Sequence, residues 1–412
     1  MPLGLLRFGL SKQYAEPRMF RDDCPLRDDY DVVIVGAGGH GLAAAYYLAR
    51  DYGTTRIAVL EKGYVGGGNT GRNTAIVRAN YLTPEGVKFY DESLRLFRQL
   101  SQELDYNLFY SERGHFTLAH TEATLRTMHW RAEVNKHLGV HSEVIGPARI
   151  TRLCPYINLR CGHTPVVGAL YHPPGAIVRH DAVAWAYARE ADRRGVEIHQ
   201  RTEVTAIDVH QGSVVGVATN RGYIHTRRLL SAVAGYTPRI TSMVGLRTPL
   251  VIQPLQACVT EPLKPWLDHV VVSANLHLYV SQSSRGELVM GASLDPYELH
   301  SERSTLDFVE GLADHLLDLF PFLSTVKVNR QWAGMSDMTP DFSPIMGKTP
   351  VEGFYLDAGW GTWGFKATPV CGTTMAYTLA HDQEPELIRP FKLSRFEQYE
   401  LVGEKGAASV GH

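Results

Sequence analysis

Three glycines, Gly36, Gly38 and Gly41, stand at G-x-G-x-x-G spacing in this 412-residue chain. The apolar run Val32-Val33-Ile34-Val35 precedes them, and the small-residue stretch Leu42-Ala43-Ala44-Ala45-Tyr46-Tyr47-Leu48-Ala49 follows. A strand, a turn and a helix in that order have one chemistry to offer, the binding of a diphosphate. Gly36 permits the tight turn, Gly38 lets the backbone approach a pyrophosphate, and Gly41 lets the helix pack on the strand. Unpaired N–H groups and the positive end of the helix dipole then hold the anion. A second apolar run, Arg56-Ile57-Ala58-Val59-Leu60, ends in Glu61, 20 residues after Gly41. A carboxylate there accepts hydrogen bonds from a ribose hydroxyl. The triplet alone is weak, but the strand, helix and acid in register predict a dinucleotide site.

Three further elements predict that the dinucleotide is FAD and not NAD. Gly66-Gly67-Gly68-Asn69-Thr70-Gly71-Arg72-Asn73 is a second glycine-rich loop, placed to wrap the remainder of a long cofactor. A simple NAD site needs no such loop. Arg201-Thr202-Glu203-Val204-Thr205 reads as a strand, with Val204 where backbone N–H and C=O groups read adenine. Far downstream, Gly353 to Ala358 reads as a strand that enters Gly359-Trp360-Gly361-Thr362-Trp363-Gly364-Phe365-Lys366. Gly361 and Gly364 there let backbone amides approach the edge of a flavin ring. Leu229-Leu230-Ser231-Ala232-Val233-Ala234-Gly235 reads as another glycine-ended strand of an FAD-binding fold.

Composition narrows the class. The chain is long for one simple core, which points to two interleaved domains. A formal net charge of −2 argues against nucleic-acid binding through a basic surface. No apolar run reaches the roughly 20 residues of a membrane span, and Leu3-Gly4-Leu5-Leu6 is too short for a signal-peptide core. The five cysteines, Cys24, Cys154, Cys161, Cys258 and Cys371, are scattered, with no C-x-x-C pair. Structural zinc is therefore not expected, and reduced thiols in a cytoplasm are.

The elements that must position these residues are arranged in alternation. Residues 30–105, 175–245 and 333–395 are expected to form a discontinuous FAD-binding domain of Rossmann-like α/β type. Residues 106–174 and 246–332 are expected to form an antiparallel-sheet α+β substrate domain. Alternating runs such as Leu276-His277-Leu278-Tyr279-Val280-Ser281 support the second assignment. Residues 1–29, with Pro2, Pro17 and Pro25, read either as a tail or as an arm that docks on a partner.

Taken together, these elements resemble the glutathione-reductase-type FAD amine oxidases, which include D-amino-acid oxidase, glycine oxidase and monomeric sarcosine oxidase. Within that family the resemblance is closest to the β subunits of heterotetrameric sarcosine oxidases, from about Tyr30 to the end. It is carried by residues 36–41, Arg72-Asn73-Thr74 and Arg78-Ala79-Asn80-Tyr81. Further along it is carried by Arg179-His180-Asp181-Ala182-Val183-Ala184-Trp185, Tyr279-Val280-Ser281-Gln282, Gly286 to Gly291, residues 359–366 and the terminal Gly406 to His412. The resemblance implies oxidation of a secondary or N-methyl amino acid to an imine by the catalytic subunit of a multi-subunit oxidase. It implies that Arg78 and Lys366 bind the substrate carboxylate, a task suited to a planar guanidinium fork and a point charge. Arg72 and Asn73 fall in the flavin loop. His180 matches a histidine that carries covalent FMN at the interface with a larger subunit, and that second flavin passes electrons from FAD to oxygen. Monomeric relatives attach FAD through a cysteine near Gly334, so FAD is expected to be non-covalent here. Trp363 stands where a small residue is expected, a departure that counts against sarcosine itself and leaves other secondary or N-methyl amino acids open as substrates. His115 and His277 are candidate proton partners, with a structural role the plainer reading of each. Two alternatives stay open: a dehydrogenase of another N-methylated or cyclic imino acid with a different electron acceptor, and a flavin-bearing electron-transfer subunit.

Overall fold

The computed structural model describes residues 9–11, 18–162, 164–273 and 275–404. The expectation for the terminal Gly406 to His412 lies outside the described residues. Continuous apolar runs become a six-stranded sheet in the order Ile345–Lys348, Phe354–Ala358, Leu229–Ser231, Val32–Val35, Ile57–Leu60 and Glu197–His199. All neighbours are parallel except the first pair. Both faces are buried, as a parallel sheet requires. Val32 and Ile34 face one apolar cluster, and Val33 and Val35 face another. Helices Gly39–Tyr52, Pro84–Glu103, His180–Arg193 and Thr368–His381 pack in the first cluster. Small residues let two of them touch: a Cβ on Gly372 would lie 2.6 Å from the Cβ of Ala43. An antiparallel three-stranded sheet, Val204–His210, Ser213–Thr219 and Gly222–His225, contributes to the second cluster.

The other large sheet has eight strands. Their order is Val328–Met338, Val251–Pro262, Glu287–Leu294, Leu278–Gln282, Val270–Ser273, His115–Ala119, Gly168–His172 and Glu143–Ile145. It is mixed, because Val270–Ser273 and His115–Ala119 run parallel. Alternation sorts its two faces. Phe116, Leu118, Val271, Leu278, Val280 and Met290 enter an apolar cluster with Leu312 and Leu316 of helix Leu306–Leu319. The opposite face presents His115, Thr117, Val272, Tyr279 and Ala257 to the site cavity.

Two details differ from the sequence pattern, and a third concerns residues whose role it left open. Arg201 has a left-handed backbone (φ +53°), and the strand begins only at Val204. The reason is local: the N–H groups of Arg201 and Thr202 donate to the carbonyls of Gly63 and Glu61, not to a sheet neighbour. The strand Val328–Met338 runs through residue 333, so the domain boundary expected there falls within one strand. Residues 18–29 reach their own chain, with Arg21 Nε 2.8 Å from Asp192 Oδ1 and Arg27 Nε 2.7 Å from Glu197 Oε1.

Candidate active site

The two sheets enclose a cavity of about 610 Å³, within the range of small-molecule and cofactor sites. One end is built by the glycine loop. Gly36 turns with φ +105°, and a Cβ on Gly41 would overlap the carbonyl oxygen of Gly36. Gly36 and Gly38 line the cavity, whereas Gly41 sits behind it, where its role is the close packing of helix on strand. The N-cap residue Gly38 offers no side-chain cap, and although Gly39 N is taken by Thr70 Oγ1, the N–H groups that follow it in the first turn are left to an anion. The two oxygens of Glu61 accept from Ala37 N (3.0 Å) and Gly63 N (2.7 Å), which fixes the carboxylate at the cavity wall. Val204 lines the same end beside Lys62, whose Nζ lies 3.0 Å from the Tyr236 ring centroid.

The second glycine loop is fastened to the first. Gly66 N donates to Ala37 O (2.9 Å), and Gly39 N donates to Thr70 Oγ1 (2.9 Å). Asn69 pairs with the backbone of Met335 through both amide atoms, at 2.6 and 3.0 Å. Arg72 turns back onto the Gly67 and Gly68 carbonyls and Glu302, and Asn73 Oδ1 accepts from Ala75 N (2.6 Å). Both line the cavity.

The far end is cationic. Arg78 and Lys366 are buried, and among the described residues neither has a carboxylate partner. Arg78 Nη1 donates to Asn80 Oδ1 (2.9 Å), with its guanidinium 4.6 Å from the Tyr81 ring and 5.4 Å from the Trp363 ring. The Lys366 ammonium donates to the Thr362 carbonyl at 3.4 Å and lies 5.5 Å from the Trp363 ring. Burial, then the charge of Arg78, pushes its pKa well below the ordinary lysine value. Asn80 Nδ2, His115 Nδ1 and Trp363 Nε1 are also buried nearby without partners. Each such group costs about 1–3 kcal/mol. Two cations and unpaired donors make this end a receptor for a small anion that also carries an apolar part.

Comparison with known proteins aligns residues 31–378 with the FAD dependent oxidoreductase family. The chain belongs to that family. It is 45% identical to the sarcosine oxidase β subunit of Arthrobacter sp over 387 residues, 94% of this chain and 96% of that one. It is 44% identical to the sarcosine oxidase β subunit of Rhodobacter capsulatus over 404 residues, 98% and 96% of the two chains. The fold is that of the L-proline dehydrogenase from P. horikoshii, with a TM-score of 0.86 at 24% identity, covering 92% of this chain and 100% of that one.

The family is FAD-dependent, and the lining of this cavity fits that cofactor. The uncapped helix start and the fixed Glu61 fit the nucleotide half of FAD. The cradle of Gly361 fits the flavin half: the residue turns with φ +50°, and a Cβ would lie 2.7 Å from Met338 Sδ. Gly361 and Gly364 line the cavity, and so does Gly334. His180 does not line this cavity. It is the first residue of helix His180–Arg193 and is partly buried. Burial is the largest influence on its pKa and, against the charge of Asp181, holds it below the ordinary histidine value.

Two side chains at the site had no role in the sequence reading. His40, an unspecified position of the glycine motif, places Nδ1 3.0 Å from Asp357 Oδ2 and Nε2 2.8 Å from Gly364 O. Asp357 also accepts from Trp360 Nε1 (2.5 Å) and Cys371 Sγ (3.0 Å). The group is a saturated hydrogen-bond cluster. Asp337 is the other: burial pushes its carboxyl up to about 6, against the N–H of Gly359, which donates to it at 2.6 Å.

Proposed function

We propose that this chain is the catalytic subunit of a multi-subunit, sarcosine oxidase-like enzyme. It oxidises a secondary or N-methyl amino acid to the imine. The observation that carries the reading is the pair of buried cations, Arg78 and Lys366, at one end of an FAD cavity and without an acidic partner among the described residues. A substrate carboxylate is the anion they suit. Bidentate pairing with Arg78 and a charge contact with Lys366 fix its direction. Trp363 supplies an apolar wall, and orientation against the flavin accounts for much of the rate. FAD supplies the two-electron acceptor when bound. The cations also favour the neutral amine over the ammonium, as oxidation of the carbon next to nitrogen requires.

The proposal includes a covalent FMN on His180. A low pKa keeps this imidazole neutral and nucleophilic. Beside it, the exposed ring of Phe109 lies 5.7 Å from the Arg179 guanidinium, a surface able to receive a planar group. FMN there would supply the relay to oxygen at the contact with a larger subunit, in the cytoplasm. No described helix is long and apolar enough to cross a membrane.

The decisive experiment is anaerobic titration of the purified flavin-loaded complex with N-methylglycine and a panel of secondary amino acids, followed by flavin absorbance. Bleaching by at least one is expected, and failure with all of them overturns the proposal. Mass spectrometry of the acid-denatured chain tests the tether. A His180 peptide heavier by one FMN is expected in the native protein and absent from His180→Ala, whereas an unmodified native peptide refutes the attachment.

A further inference from the structure

The proposed oxidation leaves one step unassigned. A secondary amino acid in neutral water is a zwitterion, and its ammonium must lose a proton before the nitrogen lone pair can support an imine. Five carboxylates line the cavity, and each is held by at least one donor of this chain, although Asp337 keeps one buried oxygen, Oδ1, without a partner. Glu61 holds Ala37 N and Gly63 N, Glu203 pairs with Arg239, and Glu302 pairs with Arg72. Asp337 holds Gly359 N, and Asp357 holds His40, Trp360 and Cys371. Tyr279, on the cavity wall, has its phenol pushed up to about 12 by burial.

His115 is different. Strand register places it opposite His172, and alternation aligns it with Thr117 on the cavity face. The two histidines diverge in their bonding. His172 Nδ1 lies 2.8 Å from the His141 carbonyl, and its Nε2 accepts from Ala79 N at 3.2 Å, so both nitrogens are used. His115 is 2% exposed, lines the cavity with Arg78 and Lys366, and its Nδ1 meets no partner.

We infer that His115 is a catalytic residue, the acceptor of the ammonium proton of the bound amino acid; this rests on the substrate class proposed above. The N–H bond breaks, its electron pair stays on the substrate nitrogen, and the proton bonds to the imidazole to give an imidazolium. No electrons leave either partner in this step. The surroundings make the transfer conditional on substrate. Burial, then Arg78, His172, Arg131 and Lys366 hold the imidazole neutral. These groups come from the segment after Ile76–Val77, the facing strand, helix Glu122–His137 and the glycine-rich loop. A carboxylate docked on Arg78 and Lys366 offsets two of the four, so His115 gains basicity when an amino acid is in place.

Two measurements on the flavin-loaded complex test this. In the first, the native protein labelled with 15N-histidine binds 2-methylalanine, which has no hydrogen on the carbon bearing nitrogen and cannot be oxidised. One imidazole is expected to become an imidazolium on binding, and its signal is expected to be missing from His115→Asn. No new imidazolium in the native protein overturns the inference, whether or not the variant folds. In the second, anaerobic flavin reduction by N-methylglycine is followed against pH. His115→Gln is expected to be slower by about 100-fold near neutrality and to recover toward alkaline pH, where free amine is supplied by solution. An unchanged rate at neutral pH, or an equal loss at every pH, rejects the role. If no secondary amino acid reduces even the native enzyme, the proposed function has failed, and not this step alone.

Discussion

His40 and Gly364 are joined by a 2.8 Å hydrogen bond across 324 positions of the chain. Because the other ring nitrogen faces Asp357 at 3.0 Å, both nitrogens must carry hydrogen for both contacts to be favourable. Burial alone would lower the His40 pKa. The charge and hydrogen bond of Asp357, with the Gly364 carbonyl, outweigh it and raise the pKa above the ordinary value. The imidazolium thus ties the start of the diphosphate helix to the loop that carries Trp363 and Lys366.

This gives a stability prediction with a definite sign. A histidine with a raised folded pKa contributes fully below its unfolded pKa near 6.5, and the contribution fades as pH rises through the higher folded value. His40→Leu should lose about 1.5–3 kcal/mol at pH 6, and the gap to the native protein should narrow toward pH 9. Denaturant unfolding at a series of pH values measures it. A gap that is constant across the range would show that the ring acts only by packing.

Arg78→Met removes the guanidinium fork while keeping much of the apolar stem against Tyr81 and Trp363. Truncating one partner of a buried charged pair costs about 2–5 kcal/mol. We therefore expect kcat/KM for the amino acid to fall by at least about 30-fold, with flavin content and absorbance retained. Stopped-flow reduction against substrate concentration separates the two readouts. Unchanged saturation behaviour would remove Arg78 from the carboxylate site.

Gly41→Ala tests the glycine motif where no cofactor contact is involved. The added Cβ would meet the backbone oxygen of Gly36, which cannot swing aside as a side chain can. Overpacking of this kind costs about 1–3 kcal/mol, and the helix must move away from the diphosphate to relieve it. Loss of both stability and FAD retention is expected, by unfolding midpoint and by flavin released on gel filtration. A variant with native stability and full flavin would show that the helix has room to spare.

How much of this was legible in the sequence follows from the range of the forces involved. Val32–Val35 could be read because four consecutive apolar residues, all buried, belong to a strand covered on both faces. The glycine motif could be read because its geometry is closed within ten residues. In the fold His115 and Thr117 share one face of their strand and Phe116 and Leu118 the other, but the local pattern does not say what either face meets. That depends on the parallel pairing of Val270–Ser273 with His115–Ala119, which no local pattern encodes. Asn69 and Met335, like His40 and Gly364, are distant in the chain and adjacent only after folding. Their residue types fit many surface roles, so spacing alone gave no reason to single them out.

Lys366 provides the last prediction, because its function and its stability point in opposite directions. A buried ammonium beside Arg78, with one carbonyl contact at 3.4 Å, is poorly compensated. A lysine with a depressed folded pKa destabilises the fold while charged, and the penalty disappears as pH rises from the folded value to the unfolded value near 10.4. Without bound substrate, Lys366→Met should therefore be more stable than the native protein at pH 7, by about 1 kcal/mol or more. The advantage should shrink as pH approaches 10. The same substitution should weaken binding of the amino acid. Paired unfolding and binding measurements check both signs, and a Lys366→Met protein less stable than the native one at pH 7 would mean that the ammonium is better satisfied than its surroundings indicate.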